Sequence, residues 1–206
     1  MAMSWSSDES STTRWNYDDT AIPGSRGNSR APSASALGES RLLAAVVQAV
    51  KKIGFLSFGH WTPSPQSATR SSSDALLQSI DLAVAAEELG ADGAYFRVHH
   101  YARQLSAPFP LLAAVGARTS RIEIGTGVID MRYENPLYMA EDAATADLIA
   151  GGRLQLGVSR GSPEPALRGS EAFGYVPPAG QSDADLARDK TALFRAAIDG
   201  AGVVRA

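Results

Sequence analysis

Two short stretches of the chain hold the side chains best suited to chemistry, and each ends a β-favouring run: His99-His100 and Ser159-Arg160-Gly161. An imidazole at a strand end can act as a general acid or base near neutral pH, or donate to an anion. The plainer alternative is a ring satisfied by neighbouring backbone. Successive side chains leave a strand on opposite faces, so His99 and His100 point apart, and His99 is the better candidate for catalysis. For the same reason the two make a poor metal pair; with no third ligand evident, no metal site is expected. The Arg160 guanidinium can form two parallel charge-assisted hydrogen bonds to a phosphate, and Gly161 lets the backbone approach it. A solvated turn is the competing reading. Gly125-Thr126-Gly127 lacks both a helix directly after it and the wider glycine spacing of a nicotinamide-binding loop. His60 beside Trp61 reads as loop packing, and Glu141, Asp142 and Asp147 as a solvated helix face.

These residues need elements to position them. From Ile53 onward the pattern alternates strand with helix, as βα units building a parallel sheet do. The first strand is expected at 53–58, then a helix with Leu76, Leu77, Ile80, Ala83, Val84 and Leu89 at helical spacing, capped by Ser73 and ended by Gly90. A strand at 94–99 leads to a helix at 108–117 opened by proline, and a third strand follows at 122–128. Asn135-Pro136 opens a helix with Leu137, Ala140, Ala144 and Leu148 on one face, ending at Gly151-Gly152. A fourth strand at 154–158 and a last helix at 183–198 complete four units.

Strand alternation divides each strand into two faces. Ala94, Phe96 and Val98 oppose Tyr95, Arg97 and His99; Ile122, Ile124, Thr126 and Val128 oppose Glu123, Gly125 and Gly127; Leu154, Leu156 and Val158 oppose Gln155, Gly157 and Ser159. Apolar faces should meet the helices, leaving the polar ones inward. Ligands of parallel α/β proteins lie beyond the carboxyl ends of the strands, which places Ser57, His99, Gly127, Ser159 and Arg160 around one mouth.

Composition narrows the function. With 19 basic and 22 acidic residues among 206, the chain has no positive field to hold nucleic acid and no polybasic cluster for a membrane surface. No apolar run is long enough to span a bilayer, and the run at 42–50 is too short and too internal for a secretory signal, so a cytoplasmic protein is expected. The absence of cysteine leaves redox chemistry to a bound cofactor. Residues 1–40 are polar and unpatterned, and read as disordered or as a non-native extension, with a short helix extending over 40–50. A closed (β/α) barrel needs eight strands and typically ~250 residues. The expected fold is therefore α/β, a TIM-type barrel represented by its first four units, with 51–206 as a truncated N-terminal half.

Several blocks, KKIGFLSF, ELGADGAYFRVHH, RTSRIEIGTGV, ENPLYMAEDAATADLIAGGRLQLGVSRG and the later FGY, together resemble the N-terminal half of the luciferase-like flavin monooxygenases over residues 51–176. The resemblance implies an enzyme that binds reduced FMN, or a related deazaflavin, and oxidises a small organic substrate with molecular oxygen. It implies that Arg160 grips the flavin phosphate beside Gly161 and that His99 assists the oxygen chemistry. It also places a non-proline cis peptide at Gly127-Val128 beneath the flavin ring. Ser159 stands where luciferases carry a reactive cysteine, and Val98 where they carry an acid, so light emission from an aldehyde is not implied. Electrons would come from a separate flavin reductase or a nicotinamide cofactor, and a homo-oligomer is expected. Further phosphate contacts and much of the substrate pocket lie in the family's second half, so weak or no activity is expected of this stretch alone. The alternative is a self-associating half-barrel that acts as a binding or assembly module.

Overall fold

The computed structural model describes residues 3–7, 13–17, 51–161 and 167–202. Its strands are β1 (Met3–Ser7), β2 (Thr13–Tyr17), β3 (Gly54–Ser57), β4 (Gly93–Phe96), β5 (Glu123–Thr126), β6 (Ile129–Asp130), β7 (Leu154–Gln155) and β8 (Val158–Ser159). Its helices are α1 (Ser72–Glu88), α2 (Pro108–Arg118), α3 (Pro136–Ala150) and α4 (Asp183–Ile198), with a 3-10 turn at Gly169–Phe173. Strands β3, β4, β5 and β7 form one parallel sheet in the order of the sequence. Parallel crossovers are right-handed, so strands laid down in sequence order put every connecting helix on the same face. Helices α1 to α4 accordingly pack side by side in succession. Among the described residues one face of the sheet is covered and the other is open, and the sheet does not close into a barrel. Ala94, Phe96, Ile122, Ile124 and Leu154 are buried under the helices, as strand alternation requires.

The helix boundaries follow local chemistry. Asn135 caps α3, its Oδ1 accepting from the backbone of Leu137 at 3.0 Å and Tyr138 at 3.2 Å, and Pro136 occupies the first turn. Gly151, at φ 67°, ends α3 in the left-handed conformation. In α4 Ser182 and Asp185 form a reciprocal capping box. In α1 the cap is Ser71 rather than Ser73, because only Ser71 has Asp74 three residues on to return the hydrogen bond to its own N–H at 3.0 Å.

Three expectations about packing change. In α1 the buried residues are Ala75, Ser79 and Ala83, while Leu76, Leu77 and Leu89 are exposed; small side chains let the helix approach the sheet and turn its leucines away. In α3 Ala144 is buried as expected, but the buried face also carries Met139, Ala143, Ala146 and Ala150, and Leu148 is exposed. Asp147, read as solvated, is 1% exposed and accepts the N–H of Leu154 at 2.9 Å, pinning the start of β7 to the end of α3.

The fourth expected strand is broken in two, and the third ends at Thr126, with β6 starting past its expected end. The β5–β7 ladder stops, and a short parallel ladder resumes between β6 and β8 with Ile129 opposite Val158 and Asp130 opposite Ser159. Across the break Thr126 Oγ1 donates to the Gly157 carbonyl at 2.9 Å and accepts from the Gly157 N–H at 3.0 Å, standing in for missing backbone bonds. Gly157 is required there, since a Cβ would sit 2.7 Å from the Thr126 carbonyl oxygen. The break also takes Val128 and Val158 out of the helix-facing row, leaving both exposed. All described peptide bonds are trans, so the cis link expected at Gly127-Val128 is absent, and that dipeptide lies at the ladder break.

Within the stretch read as unpatterned, β1 and β2 pair antiparallel, with Trp5 opposite Trp15 in the register; Trp, Thr and Tyr favour such strands even without a periodic apolar face. The helix expected at 40–50 lies outside the described residues. No described helix is long and apolar enough to cross a membrane.

Candidate functional site

The carboxyl ends of the parallel strands are joined by backbone bonds that continue past the ladder. The Arg97 N–H donates to Ser57 at 2.8 Å, Gly127 to Phe96 at 2.6 Å, Ile129 to Gly157 at 2.7 Å and Met131 to Ser159 at 3.1 Å. His99, Gly127, Ser159 and Arg160 thereby share one end of the sheet. Ser57 does not join them with its side chain: it pairs with Phe96, placing its hydroxyl on the helix side, where it accepts from the Gly59 N–H at 3.2 Å. Alternation counted from Leu56, which pairs with Tyr95 on the open face, carries this signal.

On the open face glycine makes room for neighbouring side chains. A Cβ at Gly125 would overlap the Gln155 carbonyl and sit 2.9 Å from the Tyr95 ring, and one at Gly127 would overlap the Leu56 side chain, itself 48% exposed. Tyr95 reaches away from the mouth to Glu123, where burial and that carboxylate both raise its hydroxyl's pKa. His99 lies in the loop just beyond the end of β4, and its Nε2 accepts from Arg97 Nε at 2.8 Å. Arg97 in turn lies 5.1 Å over the Phe58 ring.

On the other flank, the Ser159 hydroxyl donates to the Ile129 carbonyl at 3.3 Å and accepts from the Gly161 N–H at 3.2 Å. Gly161 has φ +93°, which a residue with a side chain rarely adopts. Arg160 is exposed, and among the described residues no hydrogen bond or ion pair engages its guanidinium. Val128 is exposed beside Gly157.

Sequence reasoning missed the groups behind this turn. Asp130 is buried and bound by Arg132; Lys190, from α4, donates to the Arg132 carbonyl at 2.7 Å and lies 3.1 Å over the Tyr175 ring. Burial lowers the Lys190 pKa to about 8, against the opposing pull of Glu134 and Asp130. His100 stacks on Tyr133 at 4.4 Å and meets Phe173 edge-on at 5.0 Å; burial holds its pKa below the usual value, Asp130 opposing and His99 adding to the depression. His100 thus joins an aromatic group while His99 stays at the mouth. His60 stacks on Phe58 at 5.6 Å and contacts Gln104. Among the described residues no group of three or more His, Asp or Glu could hold a metal ion.

A family model described as luciferase-like monooxygenase matches residues 56–204, a span containing every residue of the candidate site. The chain belongs to the luciferase-like monooxygenase family. Among luciferase-like relatives, 4-hydroxyprotoasukamycin monooxygenase of Streptomyces nodosus subsp. asukaensis is 35% identical over 89 residues, 42% of this chain and 24% of that protein. An F420-dependent glucose-6-phosphate dehydrogenase of Kribbella flavida is 34% identical over 126 residues, 58% of this chain and 35% of that one. The chain therefore spans about a quarter to a third of the length of these curated relatives. The oxygenating constituent of 3,6-diketocamphane monooxygenase from Pseudomonas putida, solved in complex with FMN, superposes with a TM-score of 0.58 at 21% identity, covering 69% of this chain and 38% of that one. At that identity the likeness is one of fold.

Proposed function

We propose that the chain carries the cofactor-binding strands of a half-barrel belonging to a flavin-dependent oxidoreductase, which uses reduced FMN and molecular oxygen on a small organic substrate, with a deazaflavin as the alternative cofactor. One observation carries the reading: an exposed Arg160 on a glycine turn, its guanidinium engaged by no hydrogen bond or ion pair among the described residues, at the carboxyl end of a parallel sheet. The residues fit such a group. Arg160 and Gly161 would take the phosphate, while Gly127, Val128 and the Ser159 hydroxyl would border the ring, with the exposed Leu56 side chain turning aside. Ser57 would contribute backbone to the mouth, not its hydroxyl. Bound flavin supplies the electron transfer and the reaction with oxygen; the protein binds, orients and excludes water. His99, oriented by the hydrogen bond its Nε2 accepts from Arg97, would hold or deliver a proton.

Family membership supports an oxidoreductase, and the relatives include both a flavin monooxygenase fold and an F420-dependent enzyme. That the camphane enzyme is an oxygenating constituent supports a separate reductase as electron donor. A single arginine holds FMN weakly, so this stretch alone is expected to turn over little. Fluorescence titration tests the reading: the chain should quench added FMN, and Arg160→Ala should raise the Kd about tenfold or more. An unchanged Kd removes Arg160 from the site, and tighter binding of F420 than of FMN moves the reading to the deazaflavin.

A second reading, assembly with a copy of the chain and no catalysis, draws on the exposed apolar residues Ile53, just before β3, Leu56 of β3, and Leu76 and Leu77 of α1. A dimer in sedimentation, with no FMN quenching, would favour it.

A further inference from the structure

Behind the Ser159-Arg160-Gly161 turn sits an ion pair that the roles above leave unused. Asp130 neighbours Ser159 in the β6–β8 ladder, and Arg132 folds back onto it: Arg132 Nε lies 3.0 Å from both carboxylate oxygens, and its backbone N–H donates to Oδ1 at 3.0 Å. The two side chains are only 16% and 9% exposed. Desolvating such a pair offsets much of its attraction, so a contribution to shape is the more economical account of it than one to stability. The shape it secures is that of the turn. The Arg132 guanidinium packs against Gly161 so closely that a Cβ there would overlap it. From the other side Lys190 holds the Arg132 carbonyl, and Asp183 lies 3.7 Å from Arg132 Nη1. The backbone of Ser159 and Gly161 is thus clamped to residues 129–132, while the Arg160 side chain points outward from a fixed base.

We propose that Asp130 and Arg132 are a positioning pair for this turn: they hold it in the form that presents Arg160 to a phosphate monoester, and so set the preference for a phosphorylated flavin over its unphosphorylated counterpart. The inference rests on the phosphate reading of Arg160. Arg132 is matched by Asp130, so its contribution is geometry rather than a second positive charge, and a small displacement of the turn suffices to lose a directional contact.

FMN and riboflavin differ only in the phosphate, so the ratio of their dissociation constants isolates the turn from the rest of the site. The wild-type chain should bind FMN at least about tenfold more tightly than riboflavin. Arg132→Ala should bring that ratio close to one, chiefly by weakening FMN, with riboflavin affinity changed less than about twofold. Because Arg132→Ala leaves the Asp130 carboxylate buried without its partner, the double variant Asp130→Asn/Arg132→Met, which removes both charges, serves if the single one fails to fold by circular dichroism. A wild-type ratio of one removes the phosphate reading and the positioning role together. A wild-type preference that survives in the folded variants overturns the positioning role alone, as does an equal loss of both ligands, which marks a merely structural pair.

Discussion

Arg97 has only donors to offer, and its Nε lies 2.8 Å from Nε2 of His99. That nitrogen therefore accepts, and the neutral ring carries its hydrogen on Nδ1, the reverse of the form that a free imidazole prefers. Replacing Arg97 with methionine keeps length and removes the donor. Long-range proton–nitrogen NMR should then move His99 from the Nδ1–H tautomer of the wild type toward Nε2–H; an unchanged spectrum would mean that other contacts of the ring set its tautomer. Alternation put Arg97 and His99 on one face from the residues alone, and separated His99 from His100. That Arg97 would turn onto the imidazole was not legible, because it is a rotamer choice made against the Phe58 ring, which follows a different strand. Asp130 and Arg132 escaped for a similar reason: their meaning depends on Ser159 and Gly161, about thirty residues away in the chain and adjacent only once the ladder forms.

Glu87 shows what holds one element to the next. It sits in the last turn of α1, where the helix dipole disfavours an acid, yet its carboxylate accepts from the N–H groups of Ser120 at 3.0 Å, Arg121 at 2.6 Å and Ile122 at 2.7 Å, tying α1 to the entry of β5. Burial acts to raise its pKa, but the hydrogen bonds from Ile122, Arg121 and Ser120 outweigh that and bring it from 4.5 to about 2. A folded value below the unfolded one means stability that is complete above the ordinary carboxylate range and lost as the pH falls from 4.5 toward 2. Glu87→Gln should lower stability at neutral pH by about 1–2 kcal/mol and flatten the acid limb between those values, read by thermal melts over a pH series. A variant with the wild-type acid limb would show that the carboxylate does not couple the two elements. Helices were the legible elements, because Asn135, Pro136, Gly151 and Ser182 act through local bonds that the sequence displays directly. The breaks after Thr126 and Gln155 were not, since the bridge from Thr126 to Gly157 exists only between strands already in register.

For the molecule as a whole, periodicity finds an apolar stripe but not what will cover it. The leucines of α1 and its C-cap kept helical spacing as expected, yet the sheet took the alanine side, leaving Leu77 at 61% and the capping Leu89 at 89% exposure, with Leu56 of the neighbouring β3 and Ile53 just before it also in solvent. Strand β3 has no strand beyond it among the described residues, so unpaired backbone runs alongside that apolar surface. An apolar face beside a free sheet edge favours association of the chain over a lone monomer, and the small net charge of −3 offers little repulsion against it. Sedimentation velocity should show a concentration-dependent larger species. Leu77→Lys combined with Leu89→Lys should weaken that association by about tenfold or more, while leaving unfolding free energy within about 0.5 kcal/mol, because neither side chain supports the core. Association that persists unchanged in the double variant would place the contact on the edge of β3, where main-chain pairing is insensitive to the side chains of α1.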